Sequence, residues 1–187
     1  GVSKMTIRIE NALVDNDVLE TTISAENMKS IVNQIVSEFS TWEGNSGDIE
    51  AEAVGDEIAL INGDKKLSWS SFDAKAAKIA TILEEYGLTS DSKVGIYLHN
   101  SNEYLEAQYG VFKIEGVPIN VNYRYKENEL IYLLDNSDAE AVFFQGCYVD
   151  RIKAIKDQLP KIKVYIQIDD GTEPLMQGAI DYETSIS

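Results

Sequence analysis

The chain has 187 residues, 16 basic and 32 acidic side chains, and a formal net charge of −16. That length suits one domain, or one domain with an extension, and the charge repels nucleic-acid phosphates and anionic lipid heads, so neither is expected as a partner. One cysteine, Cys147, and one histidine, His99, exclude an intrachain disulfide and a metal site made of Cys and His alone.

The acidity is uneven, with −9 in residues 1–57 and −7 in the remainder. Residues 1–20 lack the apolar run of a signal peptide, and no uncharged apolar stretch is long enough to span a bilayer, so a cytoplasmic location is expected. Gly1–Lys4 reads as a leader left by a vector, with Met5 as the natural start. Ile31, Val32, Ile35, Val36 and Phe39 fall at helical spacing, predicting one amphipathic helix over 24–40 with Ser24 as its cap. The polar stretch 41–55, with Gly44, Gly47 and Gly55, reads as a linker. Residues 1–55 are therefore taken as an acidic N-terminal extension.

From residue 56 the pattern becomes regular. Strands 57–61 and 65–69 flank Asn62-Gly63, a strong hairpin signal. Ser70-x-x-Asp73 resembles a capping box opening a helix whose apolar face carries Phe72, Ala76, Ile79, Ala80, Leu83 and Tyr86, and Gly87 ends it. Strand 93–98 leads to a helix capped by Asn100 or Ser101, with Tyr104, Leu105, Val111 and Phe112 on its apolar side and Gly116 at its end. Strand 117–121, helix 127–135, strand 139–144, helix 149–159 and strand 162–168 follow. This alternation predicts an α/β fold: a mostly parallel sheet with helices on both faces and one edge β-hairpin, over 56–170. Beyond Asp170 the periodicity fades, and 171–187 reads as a truncated tail with at most a short helix.

Sheets of this kind usually bind ligands at the carboxyl ends of their strands. No G-x-G-x-x-G, G-x-x-x-x-G-K-[ST] or G-x-S-x-G occurs, which speaks against dinucleotide, P-loop and α/β-hydrolase chemistry. His99 ends a strand, yet no carboxylate is placed beside it, so it is expected to bond a loop backbone or stack at the rim. Cys147 lacks an identifiable base and reads as a small semi-buried residue. Arg124 could clamp an anion, although an ion pair with Glu127 or Glu129 is the plainer expectation. The tyrosines at 97, 104, 109, 123, 125 and 132 are expected in the core, at its rim or along an apolar cavity.

Five segments, in order, are similar to the N-terminal part of the acyl-CoA synthetases of the adenylate-forming (AMP-binding) superfamily. Glu57-Ile-Ala-Leu-Ile-Asn-Gly-Asp resembles the opening hairpin, and Leu67-Ser-Trp-Ser-Ser-Phe resembles Leu-Thr/Ser-Tyr-x-Glu-Leu. Val94-Gly-Ile-Tyr-Leu-His-Asn-Ser-Asn-Glu-Tyr resembles a hydrophobic strand followed by Pro-Asn-Ser-x-Glu-Phe. Phe112-Lys-Ile-Glu-Gly-Val-Pro-Ile-Asn-Val-Asn-Tyr-Arg resembles Leu-Lys-Ala-Gly-Ala-x-x-x-Pro-hydrophobic-Asn-Pro-Arg, and residues 127–141 resemble Glu-Glu-Leu-x-Tyr-x-Leu-x-Asp-Ser-x-Ala. His99 departs from a common Pro, and Lys126 from a helix-capping Thr.

The resemblance implies a parent that joins a carboxylic acid to ATP, giving acyl-adenylate and pyrophosphate, and then forms a thioester with CoA. ATP, Mg and CoA are its cofactors, and a carboxylic acid is its substrate. Its phosphate loop, a Ser/Thr/Gly-rich run ending in Lys, and its lid lysine have no counterpart here. The chain is thus expected to be an N-terminal fragment, inactive alone, with no catalytic and no metal residue. Asn100 and Arg124 are the candidates for the wall of the acyl or CoA channel, because strand ends and the following loop face the crevice. The other readings are a free-standing non-catalytic binding module, with residues 1–57 as a docking arm, and a fragment of a peptide-synthetase adenylation domain. A sheet cut from a larger domain would bare a covered face, so a homodimer is expected.

Overall fold

The computed structural model describes residues 4–10, 18–24, 56, 58–62 and 65–187, the first two segments as backbone only. The predicted helix over 24–40 and the linker over 41–55 lie outside the described residues, apart from Ser24 at the end of a strand. The chain divides into two units: residues 1–75 with 100–102, and residues 76–99 with 103–187.

The first unit carries a four-stranded antiparallel sheet of order β1-β2-β3-β4, formed by Lys4–Glu10, Val18–Ser24, Ile58–Asn62 and Lys65–Ser68. β1 and β2 run in continuous register from Lys4↔Ser24 to Glu10↔Val18. The β3–β4 hairpin forms, with Asn62 paired to Lys65. It belongs to this sheet, through Glu20↔Ile61, and not to the edge of the parallel one. The pattern 57–69 could not show this, because its partner β2 lies nearly 40 residues upstream in a segment of mixed polarity.

Helix α1 spans Trp69–Glu85. Its cap is Ser68, two residues before Ser70: Ser68 Oγ accepts from the Ser71 N–H at 3.2 Å, satisfying an otherwise orphaned amide. Ala76, Ile79 and Leu83 are buried, whereas Tyr86, beyond the last turn, is 40% exposed and not part of the apolar face. The end is a Schellman motif. Gly87 takes φ +83, its N–H bonds the Glu84 carbonyl, and the Leu88 N–H bonds the Leu83 carbonyl.

The second unit is built on a five-stranded parallel sheet of order β6-β5-β7-β8-β9. The strands are β5 Lys93–Tyr97, β6 Val117–Asn120, β7 Ala139–Gln145, β8 Val164–Ile168 and β9 Ile180–Asp181. α2 spans Asn102–Lys113, α3 Glu127–Asn136, α4 Val149–Ile155 and α5 Tyr182–Ile186. Period-two alternation sends Tyr97, Val142, Phe144 and Tyr165 to one face, where they pack with Leu130 and Leu134 of α3 and Ile152 and Ile155 of α4. Gly95 permits this approach, since a Cβ there would lie 2.8 Å from Leu134 Cδ2. On the other face Phe143 meets Tyr182 edge-on, and the Tyr182 hydroxyl donates to buried Glu106 of α2. Burial, then the Glu106 carboxylate, pushes the Tyr182 phenol far above its ordinary range. Helices therefore cover both faces, as the alternation predicts.

Residues 171–187 add β9, parallel to β8 through Ile166↔Ile180 and Gln167↔Asp181, and then the short α5. The strand is too short for periodicity to reveal. Its approach is ordered by the buried side chain of Gln167, whose Nε2 donates to the Pro174 carbonyl and whose Oε1 accepts from Met176 N–H.

β6 forms one edge. Val117 N–H bonds Ser92 and Val121 N–H bonds Ile96, so the alternate residues Pro118 and Asn120 turn their backbone outward. Phe112, placed on the apolar side of α2 by its spacing, is 41% exposed. α2 ends in a second Schellman arrangement: Glu115 N–H bonds the Phe112 carbonyl and Gly116 N–H the Val111 carbonyl. The left-handed residue is Glu115 (φ +56), not Gly116. Gly116 serves a different need, because a Cβ there would meet Val111 Cγ1 at 2.9 Å and the Ser92 carbonyl at 3.0 Å. At the start of α3, Glu129 Oε2 accepts from Lys126 N–H at 2.8 Å, half of a capping box whose other half lysine cannot supply.

Both sites are open to improvement. Glu115→Gly removes left-handed strain and Lys126→Thr completes the box; each is expected to stabilise by about 1 kcal/mol. Urea denaturation curves of the two variants, with unchanged slope and a raised midpoint, check this.

Candidate functional site

The carboxyl ends of β5, β6 and β7 converge on a cluster of aromatic rings and one guanidinium. Tyr97 ends β5 fully buried. Its ring stacks on Tyr148 at 4.1 Å between centroids, and Tyr148 stacks on His99 at 5.6 Å. His99 in turn lies 5.0 Å from Tyr123, and the Arg124 guanidinium sits 5.2 Å above the Tyr123 ring. The Tyr148 hydroxyl and His99 Nε2 share a hydrogen bond of 2.6 Å. His99 N–H donates to Gln145 Oε1 at 2.6 Å, tying the loop after β5 to the end of β7.

Arg151, on the first turn of α4, binds this group from below. Its Nη1 donates to the Tyr97 hydroxyl at 2.7 Å and to the carbonyls of Tyr123 and Tyr125 at 3.0 Å each. Burial raises the Tyr97 phenol and Arg151 opposes that shift, while the bond to Tyr97 raises the guanidinium. Residues 122–125 form a tight turn, with Tyr125 N–H on the Asn122 carbonyl and Arg124 N–H on Asn122 Oδ1. Arg124 is exposed at its crest.

His99 stacks at the rim, as expected. Arg124 lies on the loop after β6, at the sheet's carboxyl edge. Glu129 Oε2 accepts from the Lys126 N–H. Asn100 lies in the three-residue segment 100–102 that groups with the first unit. Tyr97 and Tyr104 are buried and Tyr123 and Tyr125 half-buried, while Tyr132 is 72% exposed. An open groove of about 400 Å³ lies beside the turn, lined by Tyr125, Asn128, Glu129, Tyr132 and Leu133. Arg151 and Tyr148 escaped the sequence reading because neither lies in a motif, and their partners are 26 to 54 residues away.

A second polar knot lies after β7 and β8. Asp170 accepts from Cys147 N–H at 3.0 Å and from Thr172 N–H at 3.1 Å, and also from the Thr172 hydroxyl. Burial raises the Asp170 carboxyl, but these donors outweigh it and hold the group below its ordinary value. Gly146 makes room, since a Cβ there would stand 2.5 Å from Asp170 Oδ1. Burial first, then Asp170, pushes the Cys147 thiol up to about 11, so it stays protonated and unreactive at neutral pH.

Among the described residues no group of three His, Cys, Asp or Glu is placed to hold a metal ion. The sequence has no Ser/Thr/Gly-rich loop ending in Lys. No helix among the described residues is long and apolar enough to cross a membrane.

Three comparisons bear on this architecture. Residues 48–185 match the family described as AMP-binding enzyme. The chain is 36% identical over 138 residues to the 3-oxocholest-4-en-26-oate–CoA ligase of Rhodococcus rhodochrous, covering 73% of this chain and 25% of that enzyme. It is 33% identical over 138 residues, with the same coverages, to the medium/long-chain-fatty-acid–CoA/3-oxocholest-4-en-26-oate–CoA ligase of Mycobacterium tuberculosis. Among solved structures, the anthranilate CoA ligase AuaEII in complex with anthranoyl-AMP shares the fold, with TM-score 0.69 and 18% identity over 75% of this chain and 26% of that one. The fold is shared with solved CoA ligases and acyl-CoA synthetases, and the chain belongs to the AMP-binding enzyme family. It spans about a quarter of the length of the curated relatives it matches.

The Asp170 knot has two consequences. Its folded pKa is depressed, so its contribution to stability is present above about pH 4 and is lost as pH falls through the lower folded value. Asp170→Asn should flatten that acid limb in urea titrations. The same variant removes the carboxylate next to Cys147, so iodoacetamide should label the thiol faster at pH 9 than in the parent chain.

Proposed function

We propose that this chain is the N-terminal part of an ATP-dependent acyl-CoA ligase. In that reaction the carboxylate of an acid attacks the α-phosphorus of ATP and releases pyrophosphate. The CoA thiol then displaces AMP to form the thioester. The observation that supports the reading is the 36% identity to a CoA ligase over 138 residues.

In this reading residues 76–187 supply one sheet of the large domain, and the carboxyl ends of its strands contribute wall to the acyl or CoA channel. Arg124 offers a fixed-charge guanidinium there, and Asn100 an amide at the loop after β5. ATP, Mg and CoA are held by segments outside this chain, in the company of a carboxylic acid substrate. The 187 residues alone are inactive, because the chain has no phosphate loop to cradle the β- and γ-phosphates through backbone N–H groups.

ATP–pyrophosphate exchange tests this directly. The intact gene product is expected to exchange label in the presence of a carboxylic acid, and the 187-residue chain to remain at the blank. Exchange by the short chain would overturn its inactivity. An intact product inert towards fatty, steroid and aromatic acids alike would overturn the ligase reading.

A further inference from the structure

The turn that carries Arg124 is held by a residue from a different element. Arg151 places one nitrogen on the carbonyls of both Tyr123 and Tyr125 and on the hydroxyl that ends β5. The Tyr97 hydroxyl itself donates to the same two carbonyls, at 3.3 and 3.0 Å. The two carbonyls flank residue 124, so fixing them fixes the direction in which the chain departs on either side of Arg124. The Asn122 side chain closes the same turn through the Arg124 N–H. Arg151 is also held in place, its guanidinium 5.4 Å above the Tyr148 ring. A cation bonded to backbone oxygens on one strand end, and packed on an aromatic from the next, is an anchor with little freedom of its own.

We infer that Arg151 is a positioning residue, which acts through the Tyr97 hydroxyl and the carbonyls of residues 123 and 125 to present the Arg124 guanidinium to an anionic group of the substrate. The inference rests on the ligase reading above. Arg151 touches no substrate; it sets where Arg124 stands. Because misplacing a binding group weakens ground state and transition state alike, the effect falls on KM more than on kcat.

The test uses the intact ligase and initial rates of ATP–pyrophosphate exchange. Arg151→Met is expected to raise KM for the carboxylic acid about tenfold, with kcat held within about twofold. Arg151→Lys should recover part of the loss. Tyr97→Phe, which removes only the hydroxyl and leaves the buried ring, should shift KM in the same direction and serves if Arg151→Met fails to fold. The double variant Arg124→Met with Arg151→Met should be no worse than Arg124→Met alone, since Arg151 acts through Arg124. Independent, multiplying losses in the double variant would overturn the inference, as would an unchanged KM in folded Arg151→Met or Tyr97→Phe. If the unaltered enzyme shows no exchange with any acid, the ligase reading falls first and takes this inference with it. Active parent enzyme with indifferent variants defeats the inference alone.

Discussion

A phenol buried at the end of a central strand is stabilised when its hydroxyl finds partners, because a dry, unpaired hydroxyl costs free energy that offsets part of the gain from burying the ring. Tyr97 meets that demand by recruiting the turn after β6 and the guanidinium of α4. One buried hydroxyl thus ties together the ends of β5 and β6 and the helix that follows β7. Everything at the carboxyl edge stands on that arrangement: Tyr148 stacks on Tyr97, His99 stacks on Tyr148, and Tyr123 closes against His99. Among the described residues, the other end of the sheet is tied by solvent-accessible pairs such as Lys163–Glu140 and Lys161–Asp138, which contribute little.

The alternation of strands and helices was legible because parallel strands buried on both faces read as apolar runs, as in Ala139–Gln145. Gly87 was legible as a helix stop because left-handed geometry favours glycine. The same rule misplaced the stop of α2 by one residue, since Glu115 takes the left-handed position and the adjacent glycine is needed for clearance. The sheet to which the hairpin belongs was not legible, because pairing between β2 and β3 is long-range. Nor was β9, whose two residues leave no period.

The site was less legible than the fold. Arg124 and His99 could be placed by their position at strand ends. What holds them could not, since Arg151 and Tyr148 sit in a helical turn with no local signature. Their roles arise from side chains brought together across 26 to 54 residues. Lys126 stands before α3 where the resemblance has a capping Thr, and there the Glu129 side chain still accepts from the Lys126 N–H.

The outward edge of β6 alternates Pro118, which has no N–H, with Asn120. Across the four residues of that strand only one amide faces away from the sheet. A foreign strand arriving there finds carbonyls but almost no donors, so sheet extension from this side is blocked at the level of the main chain. A neighbour on this flank is met mainly by side chains, and a single imino acid guards this sheet edge against fibrillar growth.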